Sequence, residues 1–214
     1  MNFFLVPRNQ AFGMTDYLDA WGRDILCFVS VVAYEDIPTR AHAPSGTYIF
    51  SALDQLTATG YDLVQEFQEQ LLTSPAGCRV VNDVAKARCR LDLLRELHRL
   101  GLNRHTAFRA TECLEGLRFP AFLHEESRHT GSLSPLLFSP GELERALGEA
   151  VLRGFDIEDL LVVEFLDTVD AEGYYRKYSA YRVGSEVIAR TLGRGRSWML
   201  KAEGVEFSRE MLEE

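Results

Sequence analysis

Asp24-Ile25-Leu26-Cys27-Phe28-Val29-Ser30-Val31-Val32-Ala33-Tyr34 contains the longest apolar run in the chain. Odd and even positions are apolar alike, so it reads as a strand covered on both faces, as strands of an α/β sheet are. Working outward, residues 35–46 form a loop carrying Pro38 and Pro44. Thr47-Tyr48-Ile49-Phe50 reads as a second short strand. Residues 62–72 place Leu63, Val64, Phe67, Leu71 and Leu72 near helical spacing. Cys78-Arg79-Val80-Val81-Asn82 reads as a third strand. Residues 86–100 predict an amphipathic helix, with Leu91, Leu94, Leu97, His98 and Leu100 on one side and Gly101 as its C-cap. Residues 1–24 show no clean period. A short helix over 15–21, with Thr15 as N-cap, is the expectation there. Strand, strand, helix, strand, helix predicts a small parallel-sheet α/β unit over residues 1–103.

The second half, 104–214, has a different texture. Thr106-Ala107-Phe108-Arg109 and Arg118-Phe119-Pro120-Ala121-Phe122-Leu123-His124 read as strands, and 125–134 as a polar loop. Ser139-Pro140-Gly141-Glu142 opens a helix to about Arg153, with Ser139 as N-cap, Pro140 at N1 and Glu142 at N3. Leu160-Leu161-Val162-Val163-Glu164-Phe165 is a buried strand. Residues 174–183 turn at Gly184-Ser185 and return through 186–191 as an antiparallel hairpin. Ser197-Trp198-Met199-Leu200-Lys201 predicts a last strand, and 210–214 begins like a helix.

Composition excludes several classes. Residues are 46% hydrophobic and 26% charged, enough apolar content for a folded core. The 32 acidic side chains outnumber 23 basic ones, for a net charge of −9, which disfavours a general nucleic-acid binder. No segment reaches the roughly 18–20 apolar residues of a membrane helix. Phe3-Phe4-Leu5-Val6 is too short for a signal core. The four cysteines, 27, 78, 89 and 113, form no CxxC pair, so reduced thiols and a cytoplasmic location are expected. Ser45 lacks a Gly-x-Ser-x-Gly setting, and residues 193–196 lack the Gly-Lys-Ser/Thr ending of a phosphate loop.

The order of motifs from Val80 to Lys201 resembles the ATP-grasp superfamily. It runs through Val81-Asn82 before a helix, Arg88-Cys89-Arg90 opening it, and Gly101-Leu102-Asn103 closing it. Phe119-Pro120-Ala121-Phe122-Leu123-His124 follows, then a small-residue loop around Gly131 and the Val162-Val163-Glu164-Phe165 strand. The Tyr175-Arg176-Lys177-Tyr178 hairpin and Trp198-Met199-Leu200-Lys201 complete the series. The resemblance implies ATP held between two α+β lobes, in a ligase that activates a carboxylate for attack by an amine or thiol. Arg90 would stand near the phosphates. His124 takes the place of a Lys or Arg that touches the α-phosphate. Thr130, Gly131 and Ser132 match the loop that closes over the phosphates, where backbone N–H groups cradle anionic oxygens. Val163, Glu164, Phe165 and Leu166 fall on the hinge that reads the adenine edge through backbone. Asp167 or Asp170 would reach the ribose, and Lys177, with Lys201, the phosphates.

Two departures shape the expectation. His124 is a weaker cation than Lys or Arg. The family's Mg²⁺-binding carboxylates, an acidic residue followed by Glu-x-Asn, have no counterpart here. Mg²⁺ is therefore expected only where that C-terminal part is supplied. The expected fold is α/β to α+β: a small parallel-sheet N-terminal unit followed by an incomplete ATP-grasp-like region. The expected cofactor is ATP. The expected partners are a small-molecule nucleotide and a second copy of the chain, without nucleic acid or membrane. The alternative is a non-catalytic interaction module with a vestigial cleft, completed by a partner or by dimerisation. The basic and aromatic run from Tyr174 to Arg182 fits single-stranded nucleic acid, but hairpin alternation explains the same pattern. Arg190, Arg194, Arg196 and Lys201 make the best local anion cluster, against a solvated loop as the plain alternative.

Overall fold

The computed structural model describes residues 1–39, 43–127, 131–200 and 206–207. The protein is mixed α/β, with one parallel four-stranded sheet and two antiparallel three-stranded sheets. It divides into two compact units. The first is Met1–Glu96 together with Glu126 and Ser127. The second is Leu97–Glu125 together with the described residues from Gly131 onward. The sequence boundary at 103 thus stands against a chain crossing at Glu96–Leu97.

In the first unit the strands are Asn2–Val6 (β1), Val29–Ala33 (β2), Thr47–Phe50 (β3) and Arg79–Val81 (β4), in the order β2-β1-β3-β4, all parallel. Helices Phe12–Ala20 (α1), Ala58–Thr73 (α2) and Arg90–Arg99 (α3) accompany them; α3 carries the crossing between units. Alternation sends Phe3 and Leu5 of β1, and Tyr48 and Phe50 of β3, to one face. There they meet Val64, Phe67 and Leu71 of α2 at i, i+3 and i+7. Phe3 and Tyr48 stack at 4.6 Å. The buried Gln68 side chain donates to Asp83 Oδ1 and accepts from Val84 N–H, so its burial leaves no polar group orphaned. Asn82 holds a left-handed φ of 64°, and its side chain donates to Phe50 O.

In the second unit, Ala107–Arg109 (β5), Ala121–Glu125 (β6) and Leu160–Glu164 (β7) form an antiparallel sheet in the order β5-β7-β6. Pro140–Leu152 (α4) covers one face, with Leu143 and Ala150 against Ala121, Leu123, Leu160 and Val162. Ser139 caps α4 by accepting from Glu142 N–H, with Pro140 in the first turn, as the sequence predicts. Tyr175–Val183 (β8) and Glu186–Gly195 (β9) make the hairpin, and Glu206–Phe207 (β10) pairs with β9. Gly184 turns it at φ 62°.

Several expectations are corrected. The 24–34 run is a strand only over Val29–Ala33, because β1 offers five partners and no more. Leu26–Phe28 is a 3-10 turn, and Phe28 is 59% exposed. β1 shows no polar and apolar alternation, because Phe3, Phe4, Leu5 and Val6 are all apolar, and a run of four is too short to tell a strand from other buried segments. α1 begins at Phe12 with Ala11 as its cap. Thr15 sits inside it, its hydroxyl donating to Ala11 O and Phe12 O. The 197–201 strand is instead a bend after β9, closed by Met199 N–H donating to Ser197 Oγ, and Lys201 lies outside the described residues. The 210–214 segment does too. Among the described residues no helix is long and apolar enough to cross a membrane.

Candidate functional site

The antiparallel register sorts the second unit's sheet into two faces. Residues directly opposite one another share a face. Ala121, Leu123, Leu160 and Val162 face the α4 core. Phe122 opposite Val163, and His124 opposite Leu161, face the other way. Leu161 and Val163 are buried as well, so β7 is covered on both sides.

The 131–138 segment folds back along β6. Leu133 N–H donates to Leu123 O, Ser134 Oγ accepts from Leu123 N–H, and Ala121 and Leu137 exchange both backbone bonds. The last contact of this return is a bridge between His124 and Ser132. The sequence-predicted phosphate residues His124, Gly131 and Ser132 are therefore neighbours. Gly131 has φ 103°, a conformation that side chains rarely adopt, so the backbone entering the His124–Ser132 bridge requires glycine there. His124 Nδ1 lies 2.6 Å from Glu125 O. That bond orients the ring, with Nδ1–H donating. Thr130 lies outside the described residues.

The hinge residues separate into structural and available groups. Glu164 N–H donates to Thr106 O, and Phe165 N–H donates to Pro120 O, after a cis Phe119–Pro120 bond. The Glu164 carboxylate is 3% exposed. It accepts from Thr106 N–H, from Arg118 N–H and from the Arg118 guanidinium, the shortest contact being 2.6 Å. Burial opposes its charge, but the Arg118 side chain and the two backbone donors outweigh burial and hold the carboxyl below the usual range. Glu164 thus ties together the 104–106 loop, Arg118 and the end of β7. Val163 is buried within the sheet. Leu166 is 37% exposed, and its N–H enters no hydrogen bond among the described residues. Asp167 accepts from Val169 N–H and lies beside the Tyr175 hydroxyl.

Two aromatic side chains given no role by the sequence, Phe122 and Trp198, gather with Phe165 at the same edge. The Trp198 ring packs on Phe122 at 5.0 Å, tilted by 54°, and on Phe165 at 5.6 Å, edge-on. The alternation of β6 carried this signal, because Phe122 and His124 share a face. The position of Trp198 did not, since it follows from where β9 ends. Lys177 is exposed on β8, opposite Gly193. At the hairpin base Asp170 accepts from Glu172 and Tyr174 N–H groups and pairs with Arg176 at 3.0 Å. Arg194 and Arg196 lie over the Tyr174 ring at 5.0 and 4.4 Å. Arg90 belongs to the first unit, where its guanidinium donates to Glu126 O. Among the described residues no three His, Cys, Asp or Glu side chains come together as a ready-made metal site. The chain matches no family model and no curated protein.

Proposed function

We propose that this chain binds a nucleotide, ATP by the ATP-grasp resemblance, on the outer face of β6 and β7. The observation that carries the proposal is the His124–Ser132 bridge: it sets an imidazole beside Gly131 and Ser132, two residues along β6 from Phe122. Two strand residues span about 7 Å, comparable with the distance from a base to its first phosphate. In this arrangement the base lies at the Phe122, Phe165 and Leu166 end, with the Leu166 N–H as edge donor. The phosphates lie at His124, Gly131 and Ser132, with Thr130 and Lys201 as further groups by resemblance. Asp167 serves the ribose, and Lys177 adds positive charge. Val163 and Glu164 support this face from within the sheet. The role for this chain is binding; a carboxylate–amine or carboxylate–thiol ligase reaction belongs to a form supplied with the metal-binding carboxylates.

Isothermal titration with ATP and with ADP, each with Mg²⁺, tests the proposal. Millimolar nucleotide giving neither heat nor a thermal shift overturns it. His124→Ala is expected to weaken ATP binding more than adenosine binding.

The interaction-module reading draws on a different observation. The hairpin exposes Tyr178, Tyr181, Val183, Val187 and Ile188, and β8 is a sheet edge among the described residues. Exposed apolar edges recruit strands, and the occupant this favours is a second copy. Light scattering that gives a monomer at high concentration removes this reading.

A further inference from the structure

Trp198 hangs from the bend that follows β9, and its indole lies against both aromatic rings of the outer β6–β7 face. The bend is local, closed by one bond from Met199 N–H to Ser197 Oγ. The indole N–H makes no hydrogen bond among the described residues, so aromatic and apolar contact alone hold the ring there. Trp198 is only partly buried, so moving the ring into water costs little more than its two aromatic contacts. The centroid distances of 5.0 and 5.6 Å leave no gap. A base interleaved between two rings needs about 7 Å, twice a carbon–carbon contact.

We propose that Trp198 is a built-in competitor for the base: its indole occupies the aromatic position that a planar heterocyclic ligand takes on Phe122 and Phe165, and the ligand displaces it. This rests on the nucleotide reading above and adds a self-plug to that site. The plug is matched in kind to the ligand, because every base offers a π-face for stacking. The 196–200 segment therefore swings outward when a base binds, and affinity is set by the difference between two stacking interactions. A sugar phosphate without a base leaves Trp198 in place.

The chain has two tryptophans, and Trp21 is 78% exposed. A Trp21→Phe background makes Trp198 the only indole. In that background titration with ATP or adenosine is expected to shift emission to the red, as the indole moves into water. Ribose 5-phosphate is expected to leave emission unchanged. Trp198→Ala is expected to bind ATP about 2- to 10-fold more tightly, the strength of one lost aromatic pair. Trp198→Phe, which keeps a ring in place, is expected to stay close to the unmodified affinity. Weaker or equal binding by Trp198→Ala overturns the plug, as does a blue shift on ligand addition, which marks an indole that stacks on the base. If Trp198→Ala does not fold, the emission shift and the Trp198→Phe affinity decide. Binding by the unmodified chain without a gain in the variant sinks the plug alone. Absence of nucleotide binding by every variant sinks the nucleotide reading and the plug with it.

Discussion

Glu164 holds its place through four donors, and its loss has a definite cost. Glu164→Ala leaves the part-buried Thr106 and Arg118 N–H groups without their acceptor, which costs about 1 kcal/mol, toward the low end for unsatisfied donors. Urea denaturation measures it, and an unchanged midpoint contradicts the assignment. The neighbouring His105 carries the pH dependence. Its Nδ1 is buried without a hydrogen-bond partner among the described residues. Burial lowers its pKa, the Glu164 charge only partly opposes, and the nearby Arg118 acts with burial. The folded pKa therefore lies below the unfolded value of about 6.5. The stability linked to His105 is complete above that value and is lost as pH falls toward the folded pKa, because the unfolded chain takes up the proton first. His105→Gln is expected to flatten the decline of Tm from about pH 7 to about pH 5; a slope equal to that of the unmodified chain refutes this. Glu164, with a depressed pKa, adds a second loss at more acid pH, below about 4. At this scale the sequence shows which residues carry charge, but not which way each points. Glu164 and His124 each sit on a strand in similar company, and only the register sends one to Arg118 and the other to Ser132.

Helix α4 was readable because its start is written locally: a capping serine, a proline that needs no N–H donor, and a glutamate at N3. Ser139→Ala is expected to cost about 0.5–2 kcal/mol, measured as a lower urea midpoint of the second unit. Retention of the full midpoint shows that the cap is not used. The hairpin was readable for the same reason, through alternation and Gly184-Ser185. β1 and the 197–200 bend were not readable. The first is defined by its neighbours β2 and β3. The second exists because β9 runs out at Gly195, a length set by pairing and not by any residue at the end.

At the scale of the molecule, a parallel α/β first half and an antiparallel second half follow from the strand and helix order, which is a property of sequence. The strand order β2-β1-β3-β4 does not, since it depends on which strand the chain returns to after each helix. The candidate site shows the same division. His124 and Gly131 are marked by composition and spacing, while the aromatic face is assembled from Phe122, Phe165 and Trp198, far apart in the chain.

The two units are not two consecutive lengths of chain. Glu126 belongs with the first unit, and its carboxylate accepts the Leu91 N–H in the first turn of α3 at 3.1 Å, where a negative charge offsets the helix dipole. A polypeptide cut at 103 would carry α3 without that acceptor. Expressed alone, 1–103 is expected to lose helicity at the start of α3, seen as faster amide exchange at Leu91 than in the full chain, and equal exchange would show that Glu126 is dispensable. Excising the first unit intact therefore requires rejoining two pieces of chain, and a library cut at every residue would find no single position that releases both halves whole.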